Sequence, residues 1–244
     1  MAAYDLEEQE QIDNLKAWWN QHGGKVASIV MALAIGVASW QGWNWYQDQQ
    51  AAKAGVLFSK LHQALMANQP QQVRALAGEL MEKYGSTNYA VLGALLAARS
   101  SFDANDLKTA RAQLSWAIER GEPEVQDIAR LRLAGVMLDE KEYDEALQTL
   151  TRKPGETFAP AYAELKADVL LAQGKREESR AAYQEAFALL KTQKQQASAL
   201  AASDAAEETE EVDPQQAEEE EARLLAEEPA MQLLKQKMDA LGGA

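Results

Sequence analysis

The sequence predicts an all-α fold: a single N-terminal transmembrane helix, then an α-solenoid of paired helices with a C-terminal capping helix. Three observations carry this reading. Apolar positions are mostly Ala and Leu, and no alternating run is long enough for a half-buried strand. The stretch from Val26 to Gln47 holds no charged residue. Beyond it, segments that read as helix, polar turn and helix recur at a spacing of about 34 residues.

Composition bounds what such a chain can do. Its 244 residues suffice for one sizeable domain with appendages, and its formal net charge is -14. That charge argues against nucleic acid, because backbone binding needs Lys and Arg to displace counterions from phosphate. Most of it is local: from Asp204 to Glu228 twelve acidic residues face one basic residue, Arg223. With no cysteine, disulfides, thiolate metal sites and thiol catalysis are excluded. The two histidines, His22 and His62, lie on opposite sides of the apolar stretch and cannot build a metal site or a catalytic triad together. Neither a cofactor nor a small-molecule substrate is expected.

The expected order of segments is an N-terminal tail over 1–25, the transmembrane helix over 26–46, a repeat domain over 47–191, an acidic disordered insertion over 192–223 and a final helix over 224–244. In the tail, Leu15, Trp18, Trp19 and His22 recur at helical spacing, so a short helix in the membrane interface and a solvated tail are both consistent with it. The span has the roughly 20 residues that a bilayer core of about 30 Å requires. Trp40, Trp43, Trp45 and Tyr46 mark its far end for the headgroup layer, and Lys25 and Val26 mark its start. A cleaved signal peptide, for which Ala52 and Ala54 would offer a processing site, has a short basic leader; here the leader is long and acidic. Lys16 and Lys25 precede the span and no basic residue follows before Lys53, which predicts the N-terminus in the cytoplasm and the bulk of the chain on the far side.

In the repeat domain the turn centres fall at Asn105, Lys141 and Gly174, about 36 and 33 residues apart, near the period of a tetratricopeptide repeat. Such a repeat needs small residues where two helices cross and larger ones between them. Ala98, Ala134 and Ala167 take the crossing position of the first helix; Ala110, Ala146 and Ser179 take it in the second. Leu107 and Tyr143 follow the turn as bulky residues, where Arg176 departs from the pattern, and Leu114, Leu150 and Tyr183 are the large residues of the second helix. Asn105 and Gly174 suit the left-handed conformation that ends a helix, and Lys141 suits it less. A more divergent first pair turns between Asn68 and Pro70. Stacked pairs leave a concave face, the usual binding surface. The acidic pairs Asp103 with Asp106, Asp139 with Glu140, and Glu177 with Glu178 sit at turns and helix starts, where carboxylates cap helices rather than catalyse. Tyr143, Tyr162 and Tyr183 fit the core better than a peptide-gripping groove.

From Thr192 the composition shifts to Gln, Ala, Ser and Glu with hardly a large apolar residue, which predicts disorder or a frayed solvent helix. Helical periodicity resumes with Leu224, Leu225, Met231, Leu234, Met238 and Leu241; Pro229 suits a first turn and Gly242 an end. A helix there would cover the open end of the solenoid.

The order of these parts, an acidic tail with Trp18 and Trp19, then Gly23, Gly24 and Lys25, the span, its aromatic border and a divergent repeat array, resembles the YfgM family, the ancillary subunit of the SecYEG translocon. The resemblance runs from about Leu15 to Leu190 and more weakly over the final helix, and the acidic stretch departs from it as an insertion. It implies an inner-membrane protein, single-pass, with its repeats in the periplasm. It further implies association with SecYEG and with a PpiD-like periplasmic chaperone, in the handling of newly translocated proteins. No catalytic residues come with it. The alternative is a repeat scaffold of another envelope machine, for division or export, which the fold by itself does not distinguish.

Overall fold

The computed structural model describes the backbone of residues 2–205 and 229–242, with side chains over 16–25, 27–199 and 229–241. The chain forms two compact units that divide between Lys53 and Ala54. Every regular element among the described residues is helical.

Helix α1 (Ala2–Met66) supplies all of the first unit. Its apolar side chains turn to every side, and Ile29, Val30, Met31, Leu33, Ile35 and Val37 are all more than half exposed. Among the described residues no single helix is long and apolar enough to cross a membrane, whereas Lys16–Lys25 and Ala27–Met66, bent by 44°, are so together. Before the bend, Trp18 stacks on His22 with ring centroids 5.4 Å apart. Trp19 lies over Gly23, where a Cβ would come within 3.1 Å of the indole.

The second unit is a run of helix pairs. The end of α1 pairs with α2 (Pro70–Lys83), α3 (Asn88–Asp103) with α4 (Leu107–Arg120), α5 (Pro123–Asp139) with α6 (Tyr143–Thr149), and α7 (Ala159–Ala172) with α8 (Arg176–Ala205). A 3-10 turn (Glu156–Phe158) precedes α7, and α9 (Pro229–Gly242) comes last.

Each pair is joined by the same turn. Asn68, Asn105, Lys141 and Gly174 have φ of 52°, 57°, 62° and 82°, and are about 37, 36 and 33 residues apart. At each, the N–H of the left-handed residue returns to the carbonyl three back and the next N–H to the carbonyl five back, as in Asn105 to Phe102 and Asp106 to Ser101, both at 2.8 Å. This is the Schellman closure that satisfies the last carbonyls of a helix. Lys141 adopts it without the glycine that would make it strain-free, because the helices on both sides fix its place.

Packing follows from the small residues. Ala110, Ala117, Ala134, Ala146, Ala167 and Ala186 are fully buried where helices cross. Gly93 admits Leu80 of α2 so closely that a Cβ would stand 2.8 Å from its Cδ1. Between the close approaches lie the larger residues: Leu61 and Leu80 in the first pair, Leu114, Leu133 and Met137 in the middle, and Leu170 and Tyr183 in the last.

At the last pair, α9 buries Leu234 against α7 and α8, and its Met231 is buried as well. Its Lys237 donates to Glu164 Oε1 at 2.8 Å and Asp168 Oδ1 at 2.9 Å, and lies over the Tyr183 ring. Helix α8 continues to Ala205, past Thr192, the position from which the composition predicts disorder or a frayed solvent helix. Its Ala and Gln residues sustain a helix that faces mostly water. Residues 206–228 lie outside the described residues. With them go the acidic stretch from that point and the apolar positions Leu224 and Leu225.

Candidate functional site

In a stack of helix pairs, the residue after the crossing alanine on each first helix shares one face of the array. Arg99, Gly135 and Asp168 follow Ala98, Ala134 and Ala167. Arg99 and Gly135 line a hollow of about 380 Å³ between α3 and α5, whose apolar surface comes from Phe102, Leu114, Val136 and Leu138. Asp168 is instead held by Lys237 of α9. The hollow is thus the open part of that face, and α9 covers its end.

Two guanidiniums stand at this hollow. Arg99 Nε donates to both oxygens of Asp103 at 2.9 Å. Arg132 donates to the Leu95 carbonyl at 3.4 Å and, among the described residues, to no carboxylate. Burial, and then the charge of Arg99, lowers the Arg132 pKa below the usual guanidinium value. Gly135 sits in the interior of α5 with φ outside the left-handed region, and a Cβ placed there would meet no atom within 4 Å. The sequence reading did not single out Arg99, Arg132 or Gly135. The register of Arg99 and Gly135, one residue past the crossing alanine, was the signal that could have done so.

Other charged residues join pairs to one another. Arg74 of α2 meets Asp106, which also caps α4 by accepting from the Thr109 N–H at 3.1 Å. Arg111, at the equivalent position of α4, donates to Glu140 at 3.0 Å, to Glu142, and to Glu145 at 2.9 Å. Asp106 and Glu140 are therefore inter-repeat contacts, and Asp106 is a cap as well, whereas Asp103 pairs with Arg99 of its own helix.

The buried pair Asp127 and Arg130 escaped the sequence reading. Asp127 Oδ2 accepts from the Gly155 N–H at 2.8 Å, and Arg130 Nη2 donates to Gln126 Oε1 at 2.9 Å. Tyr162 and Tyr183 are core residues, and Tyr143 is half-buried against the same core. Tyr183 donates to Asp168, completing the contact with Lys237. Ala98, Ala110, Ala134, Ala146 and Ala167 are all buried, whereas Gly174 is exposed at its turn.

Of the residues assigned to a membrane anchor, Lys25, Trp40, Trp43, Trp45 and Tyr46 are exposed on α1. Trp43 and Tyr46 approach to 6.2 Å between ring centroids, and the Tyr46 hydroxyl accepts from Gln50 Nε2 at 2.6 Å. The Val26 side chain lies outside the described residues.

A family model described as a tetratricopeptide repeat-like domain matches residues 16–207. The chain belongs to that family. Curated members similar to it bear one name, that of the family the order of segments resembles. The chain is 31% identical over 192 residues, 77% of its length and 90% of the relative's, to the ancillary SecYEG translocon subunit of Neisseria gonorrhoeae (strain ATCC 700825 / FA 1090). It is 30% identical over 188 residues, 75% of its length and 90% of the relative's, to the protein of that name from Haemophilus influenzae (strain ATCC 51907 / DSM 11121 / KW20 / Rd). To that of Escherichia coli (strain K12) it is 28% identical over 182 residues, 72% of its length and 85% of the relative's. The family match begins at Lys16, so the matched residues include the apolar part of α1 as well as the helix pairs.

Proposed function

We propose that this protein is an ancillary subunit of the SecYEG translocon, a membrane-anchored adaptor that catalyses nothing and links the translocon to periplasmic chaperones of the PpiD type as new proteins emerge. The observation that carries the reading is the extent of the likeness: relatives named for this role are matched over 90% of their own length. A family built of stacked helix pairs offers surfaces for proteins rather than a closed pocket for chemistry.

The anchor in this reading is the apolar part of α1. Its exposed Ile29, Val30, Met31, Leu33, Ile35 and Val37 form a surface that water disfavours on every face and lipid accommodates. Lys25 and Val26 enter the bilayer from the cytoplasm, and Trp40, Trp43, Trp45 and Tyr46 lie at the periplasmic headgroups. The helix pairs then stand in the periplasm, where the hollow between α3 and α5 faces partner proteins.

Affinity purification of the tagged full chain from membranes in mild detergent tests the assignment. SecYEG and a PpiD-type chaperone are expected in the eluate; recovery of neither overturns it. Protease treatment of spheroplasts tests the orientation, since helices α2 to α9 should be cleaved without lysis.

A further inference from the structure

We propose that Lys16–Lys25 lies in the headgroup layer of the bilayer as an interfacial helix, with Trp18, Trp19 and His22 turned to the lipid and Ala17 and Asn20 to water. The inference rests on the anchor reading above and adds a second lipid contact, outside the span itself.

The bend gives the first argument. Lys16–Lys25 meets Ala27–Met66 at 44°. Two local features account for it: Gly23 and Gly24 stand side by side just before it, and the Ser28 hydroxyl donates to the Gly24 carbonyl at 2.8 Å across it. Glycine is a poor helix former, and a serine that bonds four residues back draws on a carbonyl of the ladder and bends it. The bend matters for depth. In a straight helix, the rise from Val26 back to Trp18 would carry Trp18 about 12 Å out along the axis of the span, beyond the headgroup layer of about 5 to 7 Å that flanks the hydrocarbon. The 44° bend, on a span tilted in the same sense by about 20°, brings that height to about 5 Å.

The aromatic face gives the second. At about 100° per residue, Trp18, Trp19 and His22 fall within about 100° of helix surface, and Ala17 and Asn20 lie outside it. Trp18 stacks on His22, and Gly23 is buried beneath Trp19. A Cβ on Gly23 would stand 3.1 Å from the indole, so the glycine lets the ring lie close along the helix. Both indoles remain about half exposed, at 48% and 55%. An indole has an apolar body and a polar N–H, and the headgroup layer takes both where water takes the body poorly. The segment runs on along α1 into the exposed Ile29, Val30 and Leu33, so a lipid surface is the occupant continuous with it.

Depth measurement by spin label tests this. The chain has no cysteine, so a single introduced cysteine carries the nitroxide without further change. The full chain in phosphatidylcholine vesicles, labelled through A17C, N20C, H22C or L33C, is scored for collision with oxygen, which partitions into lipid, and with a water-soluble nickel chelate. The oxygen-to-nickel ratio should be highest at position 33, intermediate at 22, and several-fold lower at 17 and 20. W18Q with W19Q should bring the ratio at 22 down to that at 17, and G24A with S28A, which straightens the helix, should lower it too. Neither pair should move the ratio at 33. Equal ratios at 17, 20 and 22 overturn the proposal: if low, the segment is a solvated tail, and if as high as at 33, it belongs to the span. An unchanged ratio at 22 in either double variant overturns it as well. So does a label at 22 shielded from both reagents, because a second copy of this chain would then be the occupant. A low ratio at 33 removes the anchor and this proposal with it, whereas a high ratio at 33 with a low one at 22 removes the interfacial helix alone.

Discussion

The hydroxyl of Tyr162 on α7 donates to Asp127 Oδ1 on α5 at 3.2 Å, inside the domain. The contact fixes one helix pair on the next, because Asp127 also accepts from Gly155 in the connection between them. Burial first, and the charge of Asp127 next, push the Tyr162 pKa up to about 12. An unfolded tyrosine ionises near pH 10. The folded value is the higher, so the stabilisation is complete below about pH 10 and is lost as the pH climbs toward 12. Y162F should cost about 1 kcal/mol in urea unfolding at pH 7. The gap from the unaltered protein should close by about pH 11, because the unaltered protein alone has this phenol to ionise. A gap that stays constant between the two pH values would show that Tyr162 does not contribute in this way.

Two of the four turns should respond to substitution in opposite directions. Lys141 stands at φ 62°, where a side chain is strained, and Gly174 stands at φ 82°, where none is present. K141G is expected to stabilise the domain by up to about 1 kcal/mol, and G174A to destabilise it by about 1 kcal/mol or more. Urea midpoints of the two variants check this; a K141G protein less stable than its parent would contradict it.

These turns were the most legible part of the fold, for a local reason. Asn68, Asn105 and Gly174 carry their own signal, since each tolerates the left-handed region, and Lys141 was found from its spacing to its neighbours. The small crossing residues stood at the same period, and burial of Ala134, Ala146 and Ala167 follows from how closely two helices must approach. What was not legible depends on residues distant in sequence. Nothing near Asp127 indicates that Gly155 and Tyr162 would fold over it, and a buried Asp and Arg three apart read as an ordinary exposed helical pair. The hollow depends likewise on distant residues: Arg132 reads as a surface charge, and only the packing of α5 on α3 brings it to the Leu95 carbonyl. Of the two readings open from Thr192, disorder or a frayed solvent helix, the helix holds as far as Ala205, because Ala and Gln favour a helix facing water.

Arg111 is expected to contribute through charge. It spans from α4 to Glu140, Glu142 and Glu145 of the next pair. Burial pulls its pKa down, but the hydrogen bonds of the three glutamates outweigh that and raise it. The glutamates are partly solvated, so R111Q should destabilise by about 1 kcal/mol at low ionic strength. In about 1 M salt the Debye length falls to about 3 Å, and the difference should shrink by about half. Urea unfolding of both proteins at the two salt concentrations gives the comparison. An equal loss at both would place its contribution in packing of the side-chain stem instead.

Lys237 joins α9 to the last pair, and its removal should release that helix while sparing the rest. Its ammonium lies among Glu164, Asp168 and the Tyr183 ring. Burial lowers its pKa, yet the two carboxylates more than offset this and the net shift is upward. A raised lysine value means that the contact is fully present below the unfolded pKa of about 10.4 and weakens as the pH rises through the folded value. K237M keeps most of the side-chain volume but leaves Glu164 and Asp168 facing each other without a counter-charge. A loss of about 2 kcal/mol is expected, confined to the docking of α9. Hydrogen exchange locates the effect: amides of α9 should exchange faster in K237M, while those of α3 to α5 keep their protection. The distinction matters because Met231 and Leu234 alone could hold α9 by apolar contact. Unchanged exchange in α9 would show that they do, and that the lysine is dispensable for closing the end of the array.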